Sequence, residues 1–166
     1  MNISEALPSI AEVAVTLVGF AAVFRAFRGL SVDAHSGART LAVIEVGLVL
    51  VLLCYVPLLL IEAGLEEVPA YRLTAGLTAL YWIRWLTVLY RIRNEVHATP
   101  GIYRFVVVLN ILIFLINLAS ATALLDRPEI LYFGSAVAIL AYVSLSFLAQ
   151  YKAEASRLTE SPHSDA

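Results

Sequence analysis

Long apolar stretches alternate with short polar ones along the chain, and this alternation predicts a set of membrane-spanning helices. Five stretches stand out, at residues 9–28, 38–63, 69–92, 102–125 and 128–151. Each reaches the ~20 residues that cross a ~30 Å hydrocarbon core at a rise of ~1.5 Å per residue. The pattern therefore predicts an all-α, polytopic integral membrane protein, a bundle of five transmembrane helices.

Residues typical of helix ends lie at the boundaries of these stretches. Ser9 and Glu12 have the spacing of a capping box at the start of the first helix. Gly64 follows the second stretch, where a glycine commonly ends a helix. Pro69 and Pro128 suit first-turn positions, because the proline nitrogen needs no intrahelical acceptor there.

Pro57 lies inside the second stretch and carries no backbone N–H. The carbonyl of Leu53, four residues earlier, therefore loses its usual intrahelical partner. A kink in the outer half of this helix is expected at that point.

The stretches form one domain, because their connections are too short to fold separately. We assign residues 1–153 to a five-helix transmembrane domain and residues 154–166, which are polar and non-periodic, to a disordered cytoplasmic tail. The sequence contains no internal repeat of the kind found in inverted-repeat transporters.

The distribution of basic residues predicts the orientation, since cytoplasmic connections retain Lys and Arg. One side of the predicted bundle carries most of them: Arg25, Arg28, Arg39, Arg91, Arg93, Arg104, Lys152 and Arg157. Tyrosines near both predicted interfaces agree with this placement. The N-terminus is therefore expected outside and the C-terminus inside.

Composition supports a bilayer location, because 61% of the residues are hydrophobic and only 14% are charged. We expect an integral protein of the bacterial inner (plasma) membrane, with the lipid bilayer as its first partner. The net charge of −2 provides no basic field for nucleic acid, so nucleic acid is not an expected partner.

Three polar residues fall at a similar depth on three different predicted helices. Counted from the cytoplasmic ends, Glu45 lies about 9 to 10 Å deep, Arg84 about 12 Å and Asn110 about 10 to 12 Å. A carboxylate, a guanidinium and an amide at one depth can satisfy one another, as ionisable groups in lipid require. The sequence thus predicts a polar intramembrane layer of Glu45, Arg84 and Asn110.

This layer has more than one interpretation. Glu45 and Arg84 could line a hydrated cavity, with Glu45 as a proton or cation site. They could instead form a static ion pair that fixes the packing of the second and third helices, which is the interpretation we favour. Arg84 could also extend to the cytoplasmic headgroups, leaving Glu45 protonated.

A second polar layer is predicted nearer the outer side, from Glu12, Thr16 and Asn117. Thr16 lies one helical turn from Glu12 on the same face. This layer forms only if the first helix begins before Ser9, which places Glu12 deeper in the membrane. The alternative, which we favour, is that Glu12 caps the helix.

Catalytic and metal-binding patterns are absent from the sequence. The single cysteine, Cys54, lies within an apolar stretch, and His35, His97 and His163 fall in predicted loops or the tail. No nucleophile–base pair or metal-ligand spacing is present. We expect no catalytic residues, no metal and no cofactor.

Two function classes lead from the sequence, ahead of a membrane enzyme, which would need a bound cofactor. The first is a channel or transporter-like protein that uses the buried polar layer. The second is a non-catalytic membrane scaffold or binding module for a partner protein or an apolar ligand. A bundle of this size has little room for a polar pore, so a homo-oligomer or a partner membrane protein is expected.

Overall fold

The chain folds into five helices in a computed structural model, which describes residues 3–27, 34–92, 100–122 and 127–160. The helices are α1 Ile3–Phe27, α2 Ala34–Glu62, α3 Glu67–Ile92, α4 Pro100–Ala121 and α5 Pro128–Glu160. Four of them contain segments long and apolar enough to span a membrane: Ile3–Val23, Leu41–Glu62, Arg104–Ala121 and Pro128–Ala149. The protein is therefore all-helical and has the character of a membrane protein.

The helix α3 is not among these four, so the predicted count of five spans is supported for only four helices. Two arginines within its apolar stretch, Arg72 and Arg84, lower its mean hydropathy most. Tyr71, Thr74, Thr78 and Trp82, which lower it further, are buried against the other helices. Its outward side carries apolar residues that are half exposed: Leu73, Leu77, Leu80 and Ile83.

Two of the predicted helix ends are confirmed. The helix α2 ends in a turn where Gly64 has φ 97°. There the Gly64 N–H donates to the Ile61 carbonyl and the Leu65 N–H to the Leu60 carbonyl, which is the Schellman arrangement. The helix α5 begins at Pro128, as the first-turn preference of proline predicts.

The first and last helices are longer than predicted. Because α1 begins at Ile3, Ser9 lies inside it, and the predicted capping box of Ser9 and Glu12 is wrong. At the other end, α5 continues to Glu160 through residues 154–160, which were predicted to be disordered. This segment contains helix-forming Ala, Glu, Arg and Leu and no proline before Pro162. Residues 161–166 of the predicted tail lie outside the described part of the chain.

The helix α5 packs against all four other helices. Its inward face follows helical spacing and carries Tyr132, Ser135, Ala136, Ile139 and Val143, all buried. The helices α1 and α2 form one closely packed pair, and α3 and α4 form another. The core thus lies around α5, between the two pairs.

Close packing of α1 on α2 depends on Gly47, which is buried. A Cβ atom at this position would overlap Cγ2 of Val18 on α1. The helices could not keep this separation with a larger residue, because a β-branched valine has little rotamer freedom in a helix.

The carbonyl freed by Pro57 has a partner from another helix. Tyr132 of α5 donates its hydroxyl to the Leu53 carbonyl oxygen at 2.7 Å, and the contact is buried. This hydrogen bond satisfies a backbone group that would otherwise be costly to bury in an apolar interior. It also fixes the position of α5 against the proline turn of α2.

Candidate functional site

An ion pair joins α2 and α3 at the predicted polar layer. Arg84 Nη1 donates to Glu45 Oε1 at 2.8 Å. Tyr81, one turn before Arg84 on the same helix, donates its hydroxyl to the same oxygen at 3.4 Å. One carboxylate oxygen therefore accepts from two side chains of α3.

The helix geometry explains why these residues meet. Glu45 lies 17 residues before the end of α2 at Glu62, and Arg84 lies 17 residues after the start of α3 at Glu67. Both are therefore about 25 Å along their helices from the short α2–α3 connection. Antiparallel neighbours joined by such a connection bring residues at equal distances to the same level.

The pair lies on the outer surface of the bundle rather than in its interior. The side chain of Arg84 is 65% exposed and that of Glu45 is 40% exposed. Glu45 belongs to the outward stripe of α2, between Leu41 and Leu48, which are also exposed. The guanidinium has five N–H donors, and within the described residues one hydrogen bond from it is seen, to Glu45.

Asn110 does not bond to this pair. Its side chain is buried between α3 and α4, where Trp82 Nε1 donates to Asn110 Oδ1 at 3.1 Å. The Asn110 amide donates to the Val106 carbonyl one turn earlier, at 2.7 Å. The structure thus places the three residues of the predicted layer in two separate groups, one outward and one inward.

The residues of the predicted second layer are also apart. Glu12 and Thr16 lie on the exposed face of α1, where Thr16 Oγ1 donates to the Glu12 carbonyl oxygen at 2.9 Å. Asn117 is buried and donates its amide to the Ile113 carbonyl and to Ser135 Oγ of α5. The helix α1 packs against α2 and α5, with its Glu12 face turned away from them.

One internal cavity of the described bundle is too small for water. A small cavity lies among Leu50, Leu53, Thr78 and Tyr132, and it does not admit a water molecule. The buried hydroxyls of Thr74 and Thr78 donate to the backbone carbonyls of Ala70 and Thr74, at 2.8 Å each. These polar side chains are satisfied within the protein, and within residues 3–27, 34–92, 100–122 and 127–160 they do not line a water-filled path.

Metal-binding side chains are dispersed in the part of the chain that is described. No three His, Cys, Asp or Glu residues there lie close enough to hold a metal ion. The side chains of His35, His97 and His163 are not among those described. Cys54 is a free, buried cysteine.

Sequence reasoning did not identify three of the partners seen here. Tyr81 was recognisable as one helical turn from Arg84, so its contact with Glu45 could have been anticipated. Trp82 pairs with Asn110, and Tyr132 pairs with the Leu53 carbonyl. Each pairing joins distant segments, so no local sequence pattern predicts it.

Searches against known protein families, curated proteins and solved structures find no match to this chain.

Proposed function

We propose that this protein is a non-catalytic membrane module that associates with another membrane protein through the outer face shared by α2 and α3. A second copy of the chain is the first partner to test. The observation that carries the proposal is the position of the Glu45–Arg84 pair on the outside of the bundle.

The cost of exposing this pair to lipid supports a partner at this face. Glu45 lies four residues inside the apolar segment Leu41–Glu62, about 6 Å from its end. Charged groups within a bilayer pair with one another or face a protein or aqueous surface. The pair neutralises its net charge, but the remaining Arg84 N–H groups still need acceptors, which an adjacent helix would supply.

The bonding of the buried polar groups favours a binding module over a pore through a single chain. The Thr74, Thr78 and Asn110 side chains donate to backbone carbonyls, although the Tyr71 hydroxyl and Asn117 Oδ1 have no partner within the described residues. The small cavity beside Thr78 excludes water. A path for ions within one bundle would need a continuous polar lining.

In this proposal α3 also spans the bilayer, which gives five spans with the N-terminus outside and the C-terminus inside. The support is that α3 runs alongside α4 and turns leucines outward, while Thr74 and Thr78 face the core. The excess of arginine on one side supports the orientation. Four apolar helices support a membrane location, and in this proposal the membrane is the bacterial inner (plasma) membrane.

A second candidate function is ion or proton transfer along an interface between copies. The observation in its favour is that Glu45, Tyr81 and Arg84 form one ionisable cluster on the exposed surface. If two such faces met around water, Glu45 would line the path between them. Neutralising Glu45 would then change flux without preventing association.

Disulfide cross-linking in liposomes tests the main proposal. A Cys54→Ala background removes the native thiol, and Leu48→Cys places a new one a single turn from Glu45. We expect oxidation to yield a covalent dimer through Leu48→Cys. Leu145→Cys, on the exposed side of α5, is a matched control, because Leu48 and Leu145 are exposed to 49% and 52%. It should yield little dimer, because it lies outside the proposed α2–α3 face.

The charge variants then test the role of the pair. Replacing both residues in Glu45→Gln/Arg84→Gln should lower the dimer yield from Leu48→Cys, because the polar contacts with the partner are lost. Equal cross-linking at Leu48→Cys and Leu145→Cys would show random collision and contradict self-association. Proton flux that requires Glu45 in the same liposomes would favour the second candidate.

A further inference from the structure

A groove of about 470 Å³ runs along the outer side of the bundle between α3 and α4. Its walls are apolar side chains of both helices, including Leu73, Leu77, Leu80 and Ile83 of α3 and Phe114 and Leu118 of α4. Small residues, Gly76, Ala79 and Ala121, also line it. Its volume lies in the range of pockets that hold small molecules, about 300–1,000 Å³.

Among the described residues, one charged side chain, that of Arg72, lines this groove. It lies at the end of the groove, next to the point where the sequence of α3 becomes apolar at Leu73. The Arg72 Nε atom is buried, and within the described residues it has no hydrogen-bond acceptor. Arg72 as a whole is only part-buried, so a phosphate in the groove would contact the guanidinium beyond Nε. Guanidinium groups match phosphate particularly well.

The length of the groove matches one leaflet of a bilayer. Arg72 and Ile83 are 11 residues apart on α3, which corresponds to about 16 Å along the helix axis. Half of a ~30 Å hydrocarbon core is ~15 Å. Arg72 therefore lies at headgroup level when the groove spans the acyl region of one leaflet.

We infer that this groove is a binding site for a glycerophospholipid, with one acyl chain along α3 and α4 and the phosphate against Arg72. The groove has a charge at one end and an apolar lining over the length of one leaflet, so it is complementary to an amphiphilic ligand. The site lies on the α3–α4 side of the bundle. It rests on the proposal that α3 spans the bilayer, but not on the partner proposed for the α2–α3 face.

Native mass spectrometry of the full-length protein in detergent tests this inference, with dioleoyl phosphatidylethanolamine as the probe. We expect Arg72→Gln to weaken phospholipid binding about ten-fold or more, because a charged hydrogen bond is lost. Gly76→Leu places a large side chain in the groove and should have a similar effect. Dioleoylglycerol, which lacks the phosphate, should bind wild type and Arg72→Gln equally.

The chain offers a matched control for each variant. Arg127→Gln removes an exposed arginine next to the start of α5. Gly134→Leu adds the same side chain at an exposed helical glycine, where an added Cβ atom would have no neighbouring atom within 4 Å. Both controls should bind the phospholipid within two-fold of wild type, a margin set by ordinary surface substitutions.

Unchanged phospholipid binding by Arg72→Gln would overturn the inference, whatever Gly76→Leu does to folding. An equal loss of phospholipid affinity in Arg127→Gln would show a general effect of surface charge and would also overturn the inference. Inorganic phosphate that displaces the phospholipid completely would indicate an anion site without a chain-binding groove. Loss in both Arg72→Gln and a folded Gly76→Leu, with both controls intact, is the result that supports it.

Discussion

The hydrogen bond from Tyr132 to the Leu53 carbonyl yields the sharpest test of how this bundle is held together. Tyr132→Phe removes only the hydroxyl and leaves the ring, which packs 5.8 Å from the ring of Tyr71. The Leu53 carbonyl then has neither a helical partner, because of Pro57, nor a donor from α5.

The expected loss of unfolding free energy in Tyr132→Phe follows from the burial of the Leu53 carbonyl. A buried backbone group left unsatisfied costs about 1–3 kcal/mol in proteins generally. Interhelical hydrogen bonds in membrane proteins average ~0.6 kcal/mol and reach ~1.7 kcal/mol. Tyr132 is only 2% exposed and no alternative donor follows from the helix itself, so we expect Tyr132→Phe to cost about 1–2 kcal/mol.

A double-mutant cycle with Pro57→Ala separates this mechanism from a simple packing effect. Alanine at position 57 restores an N–H for the Leu53 carbonyl. Removing the Tyr132 hydroxyl should therefore lower the free energy of unfolding by less in that background. We expect a coupling energy of about 1 kcal/mol, measured by reversible unfolding in mixed micelles. Tyr55→Phe, on the exposed side of α2, is the control and should change little. An equal cost of Tyr132→Phe in both backgrounds would refute the reasoning.

Two further stability predictions use the same assay. Gly47→Ala should destabilise the fold by about 1–3 kcal/mol, because the added methyl group overpacks against Val18. The higher helix propensity of alanine offsets up to ~1 kcal/mol of that cost. Val18→Ala in the same chain should restore most of the lost stability. Trp82→Phe should cost about 1 kcal/mol by leaving Asn110 Oδ1 without its donor, whereas Trp85→Phe, whose Nε1 has no hydrogen-bond acceptor among the described residues, should cost less. Equal effects of the two tryptophan variants, or no rescue by Val18→Ala, would contradict these assignments.

Part of the site could be anticipated from position along the helices. Glu45 and Arg84 meet because they lie equally far from a short connection, and counting residues gives this result. Counting along the chain gives depth but not the direction in which a side chain points. Asn110 has a similar predicted depth, yet it points into the α3–α4 contact, whereas the ion pair points outward.

The sequence by itself determined the helical class, the membrane character and several local features. Long apolar runs require helices in a bilayer, since every backbone group must be bonded within the protein. Gly64 ends α2 and Pro57 frees the Leu53 carbonyl, because these are properties of the residues themselves.

Only the tertiary structure decided which side of each helix faces inward. Lipid and protein core are both apolar, so hydrophobicity does not distinguish the two sides of a membrane helix as it does in water. Exposed leucines of α3 are as apolar as the buried Ile139 and Val143 of α5. Glu12 faces outward while Asn117 faces Ser135. The inward side of each helix is determined by the packing of small residues such as Gly47 and by the pairing of polar groups that are far apart in the chain.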